Sequence, residues 1–163
     1  MKNDMDIVFR PAVEDDFEIL NNLVRASKGH WGYSKKFMDG FMEYFHLTPQ
    51  HLINSTLHVM LTENEIVGVT GFKKNSQDLL ELEYFFIHSS QLGKGYGRAL
   101  WKYTCQLAEK FTESEFILWS DPHAEVFYHK MGCEKIGERE SPLLPNRNPP
   151  ILRYELSLSK TEK

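Results

Sequence analysis

Leu92-Gly93-Lys94-Gly95-Tyr96-Gly97 sets three glycines at alternate positions between a β-like run at 79–87 and a helical pattern starting near Arg98. Lacking Cβ atoms, such a turn can bring its backbone against a ligand. The helix that follows points unpaired N–H groups and a partial positive charge at the turn, which suits a phosphate. The backbone of 93–98 is therefore the candidate anion cradle. The side chains of Lys94 and Arg98 either add charge to it or sit solvated. Just upstream, Glu81 and Glu83 lie two apart in a strand-like run and so share one face. That face is either a site for proton transfer or a solvated sheet surface.

Two common nucleotide loops fit poorly. A P-loop needs G-x-x-x-x-G-K-[ST], which is absent from the chain. A dinucleotide fingerprint needs G-x-G-x-x-G, but Arg98 or Leu100 stands at the third glycine position. His46, His51, His58, His88 and His129 form no pairing typical of zinc, so no metal site is expected. Cys105 falls mid-helix and reads as packed and inert.

The elements that must position these residues follow from periodicity. Ile7-Val8-Phe9-Arg10 reads as a strand closed by Pro11. Phe17, Leu20 and Val24, widened by Ile19 and Leu23, mark a helix stopped by Gly29. Phe37, Phe41, Tyr44 and Phe45 mark a second helix, and Pro49 opens a helical turn. From Thr56 the period becomes two, and Thr62-Glu63-Asn64-Glu65 turns the chain into a hairpin. Beyond the glycine loop, Leu100, Thr104, Leu107, Ala108 and Phe111 give the clearest amphipathic helix.

Phe116-Ile117-Leu118-Trp119 suits an interior strand. Asp121 caps the next helix, Pro122 opens it and Gly132 ends it. A strand-like stretch at 133–138, a proline-rich loop at 141–150 and an alternating strand at 152–158 complete the chain. The order β-α-α-β-β-β-α-β-α-β-β predicts an α/β fold with a mixed sheet and helices on both faces.

Length and composition set bounds. At 163 residues, one domain spanning 1–163 is expected. A net charge of −4 argues against a nucleic-acid binder. Cys105 and Cys133 form no C-x-x-C pair and read as reduced thiols. The charged start shows no signal peptide, and no run is long enough to span a membrane, so a cytoplasmic location is expected.

Taken together, these features resemble the GNAT superfamily of N-acetyltransferases. The family loop Q/R-x-x-G-x-G/A is matched by Leu92-x-x-Gly95-x-Gly97, with Leu92 in the usual Gln or Arg place. Tyr84-Phe85-Phe86-Ile87-His88 resembles the strand that pairs with the cofactor. Asp121-Pro122-His123-Ala124-Glu125-Val126-Phe127-Tyr128-His129-Lys130-Met131-Gly132-Cys133 resembles D-P-N-A-x-x-F-Y-x-K-x-G-F, with His123 in place of Asn.

The resemblance implies a mostly antiparallel sheet of about seven strands, acetyl-coenzyme A as cofactor and transfer of its acetyl group to a primary amine. It implies that Phe86, Ile87, His88, the loop 92–98, His123 and Phe127 hold the cofactor. It also implies that Glu81 or Glu83 takes the amine proton and that Tyr128 protonates the departing sulfur. A phenol with pKa about 10 is matched to a thiol for that task. His30-Trp31-Gly32-Tyr33, with His30 and Trp31 as the candidates in the turn, would shape the acceptor pocket, walling a cleft for an amphipathic amine with Phe37, Phe41 and Tyr44 if these are not simply core. The 141–150 loop would border the same pocket. A non-catalytic acyl-coenzyme A binding module is the alternative. Pairing through the terminal strand would give a homodimer.

Overall fold

The structure, a computed structural model, describes residues 6–112, 114–141 and 148–156. The strands are β1 (Ile7–Pro11), β2 (Thr56–Thr62), β3 (Glu65–Lys74), β4 (Leu80–Ile87), β5 (Glu115–Trp119), β6 (Glu134–Glu138) and β7 (Pro150–Glu155). The helices are α1 (Phe17–Gly29), α2 (Lys35–Phe45), α3 (Gln50–Asn54), α4 (Tyr96–Ala108) and α5 (Glu125–Lys130). The sheet has seven strands in the order β1-β2-β3-β4-β5-β7-β6, as the α/β reading expects. Two compact units make up the chain. One holds the described residues up to Gly71 with Tyr84–Leu100, the other Phe72–Glu83 with those from Trp101 onward.

In the first unit, β1 pairs antiparallel with β2, from Ile7 opposite Thr62 to Pro11 opposite His58. Pro11 is tolerated because β1 ends the sheet order and needs no donor on its outer side. Glu63 and Asn64 carry φ of 53° and 68°, the double positive φ of a two-residue hairpin turn. Met60, Val67, Ile87, Tyr96 and Leu100 form a buried cluster, with Ile7, Phe9 and Phe85 packed on it.

Helix α1 buries Phe17, Leu20, Leu23 and Val24. Ile19, expected to widen that stripe, is 52% exposed, because its position falls outside the arc the other four define. Ahead of α1, Asp16 accepts from the Val13 N–H at 2.9 Å and from both arms of Arg10 at 2.8 and 3.0 Å. The Arg10 guanidinium holds this carboxyl below the usual carboxylate range, against the opposing effect of burial. Its contribution is therefore present above the unfolded pKa and lost as pH falls through the lowered folded value. Asp16→Asn should cost about 1.5–3 kcal/mol, read as a lower urea midpoint at unchanged slope.

Helix α2 is capped by Ser34, whose hydroxyl accepts from the Phe37 N–H at 3.1 Å. It buries Met38 and Phe41, while Tyr44, expected on the same stripe, is 65% exposed. Tyr44 is therefore not core, and its ring lies 5.3 Å from that of Phe45. Tyr84 is buried on β4 and donates to the Phe45 carbonyl at 2.9 Å, tying the end of α2 to the strand.

In the second unit, β5 pairs antiparallel with β7, and β7 pairs antiparallel with β6. The parallel pairing of β4 with β5 sets Glu81 opposite Ile117 and Leu82 opposite Leu118. Trp101 centres the core, its ring 5.7 Å from Phe116, 5.8 Å from Tyr128 and 5.3 Å from Tyr154. Helix α4 stops at Ala108, so Phe111 lies past its end and is 43% exposed. Strand β4 begins at Leu80 and β6 at Glu134, one residue later than expected at each. Residues 142–147 of the proline-rich loop and 157–158 of the expected last strand lie outside the described residues.

Candidate active site

The glycine loop lies in the first unit, directly after β4. His88 accepts the Ser90 N–H on Nδ1 at 3.1 Å and so caps the single turn Ser89–Gln91. The chain then passes through Gly93 and Gly95, with φ of +80° and +83°, into α4. Only glycine adopts such values without strain. A Cβ at either position would meet nothing within 4 Å, so both glycines face open space. Gly97 lies within the helix and has no positive φ.

Tyr96 is buried in the core cluster, so it anchors the start of α4 and leaves only its backbone to a ligand. The first α4 bond recorded at this end runs from the Ala99 N–H to the Gly95 carbonyl at 3.3 Å. The N–H groups of Gly97 and Arg98 precede it and point out of the helix start. Lys94 donates to the Gln91 side chain at 3.1 Å, and Leu92 and Arg98 are exposed. A 13-residue helix behind an open two-glycine turn fits a pyrophosphate.

On β4 the His88 N–H donates to the Val67 carbonyl at 2.9 Å. The Phe86 carbonyl also faces β3, lying 3.3 Å from where a Gly68 Cβ would stand. Alternation along the strand turns the N–H of Phe86 the same way and that of Ile87 away from β3. Ile87, rather than Phe86, thus presents the outward donor.

The second unit holds the titratable groups. Glu81 and Glu83 alternate with the buried Leu80 and Leu82, which places both on the opposite face of β4. The apolar face is thus Leu80, Leu82 and Tyr84, and Leu79 is 42% exposed. The Glu83 side chain is 13% exposed, with Oε2 3.5 Å from Lys73 Nζ. Tyr128, on α5, is buried against Trp101 and Phe127. Burial, followed by the neighbouring Cys133 and Asp121, pushes its phenol well above the usual tyrosine range. The phenol keeps its proton at every physiological pH.

Asp121 caps the turn before α5 by accepting the His123 N–H at 2.8 Å, and its Oδ1 lies 2.9 Å from His123 Nδ1. That contact commits one ring nitrogen of His123 to its own loop. His129 braces α5, with Nε2 2.9 Å from Glu125 and Nδ1 3.1 Å from the Cys133 carbonyl. Both contacts need a donor, so Glu125 and then that carbonyl raise the His129 pKa above its usual value. The brace is complete below the unfolded pKa of about 6.5 and is lost as pH rises through the higher folded value. An NMR titration should show that elevation, and Glu125→Gln should remove most of it.

Cys105 is pushed up to about 11 and Cys133 to about 12 by burial, so both are thiols at neutral pH. Among the described residues no group of His, Cys, Asp and Glu is arranged to hold a metal. No described helix is long and apolar enough to cross a membrane.

His30 and Trp31 follow α1 in an exposed turn, their rings 4.8 Å apart and edge-on. Next to them the aromatic residues expected near the pocket or in the core stack on one another, with a lysine that the sequence did not place there. Tyr33 stacks on Phe37 at 4.3 Å and Phe41 on Phe45 at 4.6 Å, with Phe41 edge-on to Phe86 at 6.4 Å. Lys28 Nζ lies over three of these rings, 5.2 Å from Tyr33, 5.9 Å from Phe37 and 5.1 Å from Phe41. In the second unit the Arg139 guanidinium stacks 3.7 Å from the Trp119 ring, also unforeseen.

Residues 28–141, more than half of the chain, match the family model described as acetyltransferase (GNAT) domain. No curated protein matches by sequence. Among solved structures, the PaiA N-acetyltransferase from Thermoplasma acidophilum in complex with coenzyme A is similar at 15% identity and a TM-score of 0.73. That match covers 91% of this chain and 98% of the other. Spermidine N-acetyltransferase from Vibrio cholerae, in complex with CoA and spermine, is similar at 16% identity and a TM-score of 0.68, covering 94% and 98%. A GCN5-related N-acetyltransferase from Rhodopseudomonas palustris is similar at 14% identity and a TM-score of 0.74, covering 91% and 95%. The open glycine turn ahead of α4 thus stands in a chain whose sequence and fold agree: it belongs to the GNAT family of acetyltransferases, which use acetyl-coenzyme A.

Proposed function

We propose that this protein is an N-acetyltransferase that moves the acetyl group of acetyl-coenzyme A directly to a primary amine. The observation that carries this reading is the pair of left-handed glycines opening onto the start of α4, in a chain of this family. The cofactor supplies an activated acetyl thioester, and the remaining work falls to the chain. The N–H groups of Gly97 and Arg98, with the turn at Gly93 and Gly95, hold the pyrophosphate. The outward N–H of Ile87 hydrogen-bonds the acyl oxygen, while Phe86, His88, Leu92, His123 and Phe127 flank the cofactor.

An alkylamine with pKa about 10.4 is mostly protonated at neutral pH and must lose a proton before it attacks. Glu83 receives that proton, directly or through water. The ion pair with Lys73, which orients its carboxylate, supports Glu83 in this role. Tyr128 gives its proton to the departing sulfur as the second proton of the acetylated nitrogen replaces it, since burial raises the phenol above the thiol range and opposes a lasting phenolate. The protein from Vibrio cholerae was solved with spermine, which makes aliphatic amines the first acceptors to try. The whole chain is read as one GNAT domain.

The test is a melting-temperature comparison followed by an amine panel. Acetyl-coenzyme A should stabilise the protein where ATP and NAD do not, and an amine should then release free thiol. Stabilisation by ATP or NAD alone would overturn the assignment.

A further inference from the structure

Lys28 is a charged side chain set over three aromatic rings, an arrangement that defines the ligand those rings prefer. Tyr33 and Phe37 are half-buried and Phe41 is buried, so the rings form a floor with an open side. The negative ring faces attract an ammonium and gain little from a neutral group. Phe41 in turn lies edge-on to Phe86, next to the outward N–H of Ile87 on β4.

We propose that the Tyr33–Phe37–Phe41 cage is the ammonium subsite for the acceptor, and that Lys28 is its internal stand-in, displaced when the acceptor binds. The inference rests on the acetyltransferase reading and adds the acceptor's chemical class. An ammonium over ring faces is held in its charged form, and a charged nitrogen has no lone pair for attack. The nitrogen in the cage is therefore not the one that reacts. The acceptor carries two basic nitrogens: one stays cationic in the cage, and the other gives up its proton and is acetylated. A tethered Lys28 competes at an effective concentration of roughly millimolar or more, so it also sets how weakly the native cage binds a free cation.

Calorimetry on the full chain without acetyl-coenzyme A isolates the cage. Choline is the probe because its quaternary nitrogen cannot be acetylated, and 3,3-dimethylbutan-1-ol is its neutral isostere. Lys28→Met should bind choline about tenfold more tightly than the native protein, with no gain for the neutral isostere. Adding Phe37→Leu to Lys28→Met should remove the gain. Equal responses to both probes, or none to choline, overturn the cage. In turnover, 1,4-diaminobutane should be preferred over 1-aminobutane, and Phe37→Leu should reduce that preference mainly through KM. Turnover without a diamine preference overturns the acceptor class, whereas no turnover with any amine defeats the acetyltransferase reading itself.

Discussion

Replacing Tyr128 with Phe should lower kcat by about 100-fold or more while leaving acetyl-coenzyme A affinity nearly unchanged, the usual scale for losing a general acid. The ring packs against Trp101 and Phe127 in either variant, so the core keeps its shape. Only the hydroxyl group is lost. Because burial holds that phenol far above neutrality, the native rate should show no alkaline limb from Tyr128 anywhere near physiological pH. A far-ultraviolet spectrum and melting temperature matching the native protein would confirm that chemistry, not folding, is altered. Unchanged kcat would remove Tyr128 from the proton-transfer role.

Gly95→Val should weaken acetyl-coenzyme A binding by roughly ten- to a hundredfold. A β-branched residue at φ of +83° costs about 1–3 kcal/mol of backbone strain, and the turn relieves it by leaving the cradle conformation. Binding must then restore that conformation, and the apparent affinity falls by the fraction of molecules that still hold it. Open space around Gly95 makes this a conformational effect and not a clash within the protein. Gly97→Ala is the informative companion, since its helical backbone accepts a side chain readily. Loss of affinity there reports close approach of the ligand to the backbone.

Much of this architecture was legible in the residues. Asp121 and Gly132 mark helix boundaries because each satisfies terminal backbone groups locally, and the glycine loop signals its turn through the φ values glycine permits. The misplacements have a common origin. Ile19, Tyr44 and Phe111 are large apolar residues near a helical stripe, and periodicity cannot say which edge of the stripe the core stops at. Tyr96 looked like a loop residue because its neighbours are glycines, yet its ring reaches the core.

The rings near the pocket were legible in the sequence, but the place of Lys28 over them was invisible for a different reason. Lys28 ends one helix, Tyr33 lies in the turn that follows, and Phe37 and Phe41 sit on the next helix, so no single period joins them. Lysines are ordinarily assigned to solvent, and only the folded geometry shows this ammonium over rings. The parity that turns Ile87 outward likewise depends on the register of β3 against β4, which no local pattern encodes.

The most direct measurement mixes the protein with acetyl-coenzyme A and a primary aliphatic diamine and follows free thiol and acetylated amine together. Direct transfer predicts that both appear in equal amounts, only when the amine is present, with no acetyl group left on the protein. Tight binding of acetyl-coenzyme A without amine-dependent thiol release, across the full amine panel, would contradict it.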